Sequence, residues 1–375
     1  YRLRPGPGTP ARTTARVPGS RVVFRALPPA RGRTDLAAEL ARPPRGVREV
    51  RGAAAGALVA LAREAMVTRA RDLDCFSQGD ARDVRRIVDR DGLEFVAIGS
   101  RPTRRLLLAA AYGLLTVRNG VPVGYVQLDT WRATALVHFN TFETFRGADA
   151  GWVFARVLAV ARHLFGARAF AIEPYQLGRK NDEALDSGAW WFYAKLGFAP
   201  RDPAIAKLAA AERARMRRDP GHRSSRATLE RLAEGYAFWE PEGRPAEVPP
   251  HAAVSAAIAV AVASRAASGA SDPAQARSEL AAEAARLCGL PTPRRLPEPV
   301  RFWLGAWAPM LLALPGIAEW SAEERASVGG LVRAKAGRRE SDLLPLVAAH
   351  PRFGAAVAAL ARTQGAAAEL VPVAR

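Results

Sequence analysis

The sequence predicts an α/β protein: a mixed, mostly antiparallel sheet with flanking helices, followed by a separate all-α domain. Three observations carry that expectation. Asn119-Gly120 stands between apolar runs at 106–117 and 121–128, a strong short-range hairpin signal because both residues tolerate positive φ. From residue 151 to 198 helical periods alternate with short apolar runs, which appends β, α, β, α to the meander. Beyond Pro203 the chain turns Ala-rich and helical, with no strand pattern.

Taken in order, residues 1–50 are rich in Pro, Gly and Arg and read as a basic arm or linker holding at most a short helix at 34–41. Between 54 and 72 Leu58, Leu61, Ala62, Ala65 and Met66 fall on one helical face, with Arg63, Arg69 and Arg71 outside it. A short helix is expected at 81–88 and a strand at 93–98. The hairpin follows, then a third meander strand at 135–142. A helix at 151–165 stops on Gly166, and a strand is expected at 169–173. The segment 174–187 is polar and acidic; a helix at 188–196 then stops on Gly197 and passes into Phe198. Ser271-Asp272-Pro273 reads as a helix start, and Ser321 with Glu324 as a capping box. The expected organisation is an arm over 1–50, an α/β domain over 51–204, a helical connector over 205–246 and a helical domain over 247–375.

A chain of 375 residues with 49% hydrophobic residues buries a sizeable core. The net charge of +19 points first to a polyanion. That inference weakens because the charge is nearly all Arg in an Ala-rich chain, the signature of GC-rich coding. Arg2, Arg4, Arg12, Arg16, Arg21, Arg25, Arg31 and Arg33 form a solvated arm with few aromatics among them, so nucleic-acid binding there is possible but not favoured. Cys75 and Cys288 lie far apart, which suits ordinary thiols in a reducing, cytoplasmic compartment. The apolar stretches 252–264 and 302–318 are short and read as buried helices rather than membrane spans. The five His are scattered and no Cys pair has ligand spacing, so no metal is expected. Ser187-Gly188 lacks the nucleophile-elbow pattern of a serine hydrolase.

Two segments carry the candidate chemistry. Arg146-Gly147-Ala148-Asp149-Ala150-Gly151 is a small-residue loop entering a helix, where unpaired N–H groups and the helix dipole suit a pyrophosphate. Ala189-Trp190-Trp191-Phe192-Tyr193-Ala194-Lys195-Leu196-Gly197-Phe198 ends a helix with Tyr193 placed to protonate a leaving thiolate. Core aromatics explain the second segment equally well when it is taken alone.

Together, the meander, the Arg146 loop and the Tyr193 helix resemble the GNAT superfamily of N-acetyltransferases, over roughly residues 54–203. The family's loop pattern is Gln or Arg, two residues, Gly, one residue, then Gly or Ala. Arg146 and Gly151 match its outer positions, and Asp149 stands where the central Gly belongs. The later motif, Ala, three residues, Tyr, three residues, Gly-Phe, is matched by Ala189, Tyr193, Gly197 and Phe198. The Asn that often lies three residues before that Ala has no counterpart there; Asn181 lies eight before. The resemblance implies acetyl or other acyl transfer from acyl-CoA, the cosubstrate, to an amine on a small molecule or protein. It implies that residues 146–151 hold the pyrophosphate and that Tyr193 is the general acid. Glu143 is the first candidate base, with His138 and Glu173 behind it, and Glu173, Asp182 and Glu183 are candidates for binding a cationic amine. Asp149 leaves two readings open: a working CoA site, or a helix cap in its place. The rival function is a catalytically inactive module of this kind that recognises a protein or small ligand.

Overall fold

The computed structural model describes residues 15–24, 34–147, 149–241, 245–269 and 272–369. The protein divides into two compact units. The first runs to Gly99 and resumes over Ala111–Val248; the second comprises Ser100–Ala110 and the chain from Pro249.

The first unit begins with α1 (Leu36–Ala41) and β1 (Gly46–Val50), followed by α2 (Gly52–Val67). Strands β2 (Gly79–Val88), β3 (Leu93–Ser100), β4 (Ala110–Arg118), β5 (Val121–Trp131) and β6 (Thr134–Thr141) come next, then α3 (Ala150–Phe165) and β7 (Ala169–Ile172). Short helices α4 (Pro174–Leu177), α5 (Asp182–Asp186) and α6 (Ala189–Lys195) lead to β8 (Ala199–Pro200). Helices α7 (Pro203–Arg218) and α8 (Arg226–Leu232) precede β9 (Ala237–Trp239). The sheet has nine strands in the order β1-β2-β3-β4-β5-β6-β7-β9-β8. Pairs β1/β2, β3/β4 and β5/β6 are antiparallel, β6/β7 is parallel, and β9 is antiparallel to both β7 and β8. The protein is therefore α/β with a mixed sheet.

Local chemistry accounts for these elements. Asn119 and Gly120 have φ of 49° and 82°, the positive pair that a tight hairpin between β4 and β5 demands. The apolar face read from α2 is buried against Val84, Val96, Ile98, Leu115 and Val117. On the opposite face Phe165 of α3 stacks on Tyr112 of β4, with centroids 4.6 Å apart. All eight residues of β3 are buried, as expected where helices cover both faces. Gly113 of β4 leaves room for the loop above it: a Cβ there would lie 2.6 Å from Cys75 Sγ and from Phe76 Cε1. Gly113→Ala is expected to destabilise the first unit by about 1–3 kcal/mol, the usual penalty for overpacking. Urea unfolding followed by fluorescence checks this, and an unchanged midpoint would contradict it.

Four expectations are corrected. Residues 81–88 form strand β2 rather than a helix. Its inward positions include charged residues, Asp83 bonded to Tyr112 Oη at 2.6 Å and Arg86 to Glu94 at 2.5 Å, and these hide the period of two. The run 106–117 is a strand only from Ala110, since Ser100–Ala110 belongs to the second unit. The arm is not a linker where it is described: β1 pairs with β2, Val17 N–H donates to Gly120 O at 2.8 Å, and Asn119 exchanges two side-chain hydrogen bonds with the Val23 backbone. Buried Arg156 of α3 holds α1 by donating to the carbonyls of Glu39 and Arg42 and to Asp89 Oδ2. Of the eight arm arginines, only Arg16 and Arg21 fall within the described residues. Finally, the expected connector 205–246 is part of the sheet, because β9 sits between β7 and β8. A strand of three residues has no period to read, and its pairing is set by partners distant in sequence.

The second unit consists of α9 (His251–Ala267), α10 (Pro273–Leu287), α11 (Glu298–Ala313), α12 (Ala322–Lys335), α13 (Leu343–Ala349) and α14 (Phe353–Glu369) around the segment Ser100–Ala110. Asp272 caps α10 and Ser321 with Glu324 makes the capping box of α12; Ser271 lies outside the described residues. Trp303 and Trp307 donate their indole N–H groups to Pro102 O at 2.7 Å and Leu107 O at 2.9 Å. Fully buried Lys335 pairs with fully buried Glu340 and donates to Ala109 O at 2.9 Å, so the inserted segment's carbonyls are satisfied by side chains. Among the described residues no single helix is long and apolar enough to cross a membrane.

Candidate functional site

The parallel ladder between β6 and β7 spans only Thr134–Leu136 against Ala169–Ala171, and β7 ends at Ile172. Strand β6 continues to Thr141, paired on its other side with β5 as far as Gly124. The two strands therefore fork, and the second half of β6 has a backbone edge with no strand beside it among the described residues. A cavity of about 600 Å³ opens at this fork. It takes lining from both faces of β6: His138 and Asn140 share one face, Phe139 and Thr141 the other.

One wall is α6. Tyr193 is 3% exposed, its ring packed edge-on to Phe154 at 5.4 Å and Phe198 at 6.0 Å. Tyr193 lines the cavity, and its hydroxyl makes no hydrogen bond among the described residues. Burial pushes the phenol's pKa up, which keeps the proton on the oxygen at neutral pH.

The loop into α3 forms another part of the lining through Arg146, Gly147 and Ala150. Ala148 lies outside the described residues. Asp149 occupies the N-cap position of α3 but makes no side-chain cap hydrogen bond. Its carboxylate accepts from Arg118 Nη2 at 2.6 Å, and the Arg118 guanidinium lies 5.3 Å from the Trp152 ring centroid. The helix cap, one of the two readings of Asp149, is thus not made, and the carboxylate is paired with a guanidinium. Gly151 does not line the cavity; a Cβ there would meet Thr34 Oγ1 at 3.1 Å, so its smallness serves the packing of the N-terminal segment on α3.

Two charged clusters sit in the lining. Arg71, just beyond α2, forks onto Glu183 of α5 with bonds of 2.7 and 2.8 Å, and Arg146 bonds the same carboxylate. Arg71 foremost, and then Arg146, hold the Glu183 carboxyl well below the usual carboxylate range, at about 2. The second cluster is a His between two acids: His138 Nε2 lies 3.3 Å from Asp129 Oδ2 and Nδ1 lies 3.0 Å from Glu173 Oε1. Burial pulls the imidazole's pKa down, but the hydrogen bonds and charges of Asp129 and Glu173 together outweigh it and raise the value to about 10. Gln127 Nε2 donates to both Asp129 oxygens, at 2.9 and 3.0 Å.

The structure thus brings together Arg146, Gly147, Ala150, Glu173, Glu183 and Tyr193. It leaves out Glu143, which is exposed in a 3₁₀ turn before the loop and does not line the cavity. Asp182 is also outside it, 79% exposed and paired with Arg226. His138 is weakened as a base candidate, because the two carboxylates beside it favour its protonated form, which has no lone pair to accept a proton. Glu183 lines the cavity, but its carboxylate is turned to Arg71 and Arg146. Sequence reasoning passed over Arg71, Gln127, Asp129 and Asn140. A signal for part of this existed: Gln127 and Asp129 repeat at a strand's period of two, and Gln127 registers directly with His138. No such signal existed for Arg71, which was assigned only to the outside of a helix.

No protein family, curated protein or solved structure matches this chain. The functional reading therefore rests on the cavity's own chemistry.

Proposed function

We propose that the first unit is a GNAT-like acyltransferase that moves an acetyl or other acyl group from acyl-CoA to an amine. The observation that carries this reading is one cavity lined by both buried Tyr193 and the loop into α3, with the Asp149 carboxylate paired to Arg118. A helix start and Arg146 suit a pyrophosphate. The edge of β6 that has no strand beside it among the described residues suits an extended arm that carries amides.

In this mechanism the acceptor amine gives up a proton through water to Glu173, which lines the cavity and is held by His138. The nitrogen attacks the thioester carbonyl, the C–N bond forms, and the C–S bond breaks as the tetrahedral intermediate collapses. Tyr193 protonates the departing thiolate and recovers its proton from solvent. Glu173 replaces Glu143 in the base role because it faces the cavity.

The inactive binding module is a second reading, favoured by one observation: Arg146 is already engaged by Glu183. Calorimetric titration with acetyl-CoA separates the alternatives. A saturable heat followed by thiol release in the presence of an amine panel is expected. No heat removes the acyl-CoA reading, and heat without thiol release leaves the inactive module.

A further inference from the structure

Two guanidiniums that converge on one group make a strong anion site, and here the group is the protein's own carboxylate. Glu183 Oε1 accepts from Arg71 and from Arg146, while Oε2 accepts from Arg71 alone. All three side chains are partly open to solvent, at 24%, 43% and 44% exposure for Arg71, Arg146 and Glu183, and all three line the cavity. Structural ion pairs of the same unit are different: Arg156 with Asp89 and Arg86 with Glu94 are at most 5% exposed. Exposed pairs are individually weak, so the Glu183 side chain is readily displaced. α5 is anchored by buried Ala184 and Leu185 and capped by Asn181, so it stays in place while the single side chain swings away. Ala70, at φ 52°, ends α2 in a Schellman turn, with Arg71 N–H donating to Met66 O at 3.0 Å, and this sets where Arg71 leaves the helix.

We propose that Arg71 and Arg146 form a phosphate-binding pair, and that Glu183 occupies it in the ligand-free chain as an internal anion that a phosphorylated ligand displaces. The phosphate is the better occupant because it carries more charge and more acceptor oxygens than a carboxylate, and the N-terminal turn of α3 lies in the same lining. Glu183 stays ionised throughout the physiological range, so the exchange is anion for anion. This deepens the acyl-CoA reading of the cavity and rests on it only for the identity of the ligand.

The test is calorimetry on the full chain with inorganic pyrophosphate, ADP and acetyl-CoA as separate probes. Glu183→Ala is expected to bind pyrophosphate on the order of tenfold tighter than wild type, since the competing exposed pairs are weak. Adding Arg71→Ala to it is expected to abolish that gain. Glu183→Gln, which keeps the side-chain shape, is expected to behave as Glu183→Ala does and serves if the alanine variant fails to fold. Equal affinity in wild type and both Glu183 variants overturns the proposal, as does a gain that survives loss of Arg71. If the Glu183 variants gain affinity for pyrophosphate and ADP while acetyl-CoA gives no heat, the internal anion stands and the acyl-CoA reading falls.

Discussion

Tyr193→Phe is expected to slow acyl transfer by about 10²–10⁴-fold, the usual contribution of a positioned general acid, while leaving the fold intact. The two halves of that expectation come from one site. The ring packs against Phe154 and Phe198, and phenylalanine preserves that packing. The hydroxyl has no hydrogen-bond partner among the described residues, so its removal strands no donor or acceptor and should change stability by no more than about 0.5 kcal/mol. A purely structural tyrosine would show no loss of turnover. The measurement is thiol release from acetyl-CoA with an amine that wild type accepts, beside a thermal unfolding curve. A variant that turns over as fast as wild type assigns the proton to another group.

His138→Leu is expected to destabilise the first unit by about 3–5 kcal/mol, because Asp129 and Glu173 lose the cation between them. The pH dependence has a defined sign. His138 is raised from 6.5 to about 10 on folding, so its stabilisation is complete below about pH 6.5 and is lost as pH rises through about 10. Wild type should therefore weaken between those values, and His138→Leu should lack that component. Histidine-labelled NMR gives a direct check: with only five His in the chain, the resonance that vanishes in the variant should remain that of an imidazolium at pH 8. A neutral ring at that pH would restore His138 as a base and remove the predicted slope.

The readable parts of this protein were those governed by neighbours along the chain. Asn119-Gly120 needs only two positive φ angles, the face of α2 only a helical period, and the ends of α3 and α6 only Gly166 and Gly197. Such features survive in any context, because backbone sterics and local periodicity act over a few residues. Strand β2 was misread for the converse reason: Asp83 and Arg86 point inward because Tyr112 and Glu94 await them, and nothing within 81–88 announces those partners.

The candidate site divides along the same line. The Arg146 loop and Tyr193 were legible as segments, since each sits at a helix terminus with its own spacing. Their surroundings come from contacts far away in sequence. Arg118 pairs with the Asp149 carboxylate, Arg71 and Arg146 converge on Glu183, and Asp129 and Glu173 flank His138. By itself the sequence determined an α/β unit with a helical unit after it and a tyrosine at the end of an aromatic helix. Only the tertiary structure decided that residues 15–24 and 34–50 belong to the first unit, that β9 completes its sheet, and which acids and bases remain available for chemistry. The physical reason is that protonation and pairing depend on charges a few ångströms away in space, and the fold draws those from positions up to about a hundred residues apart.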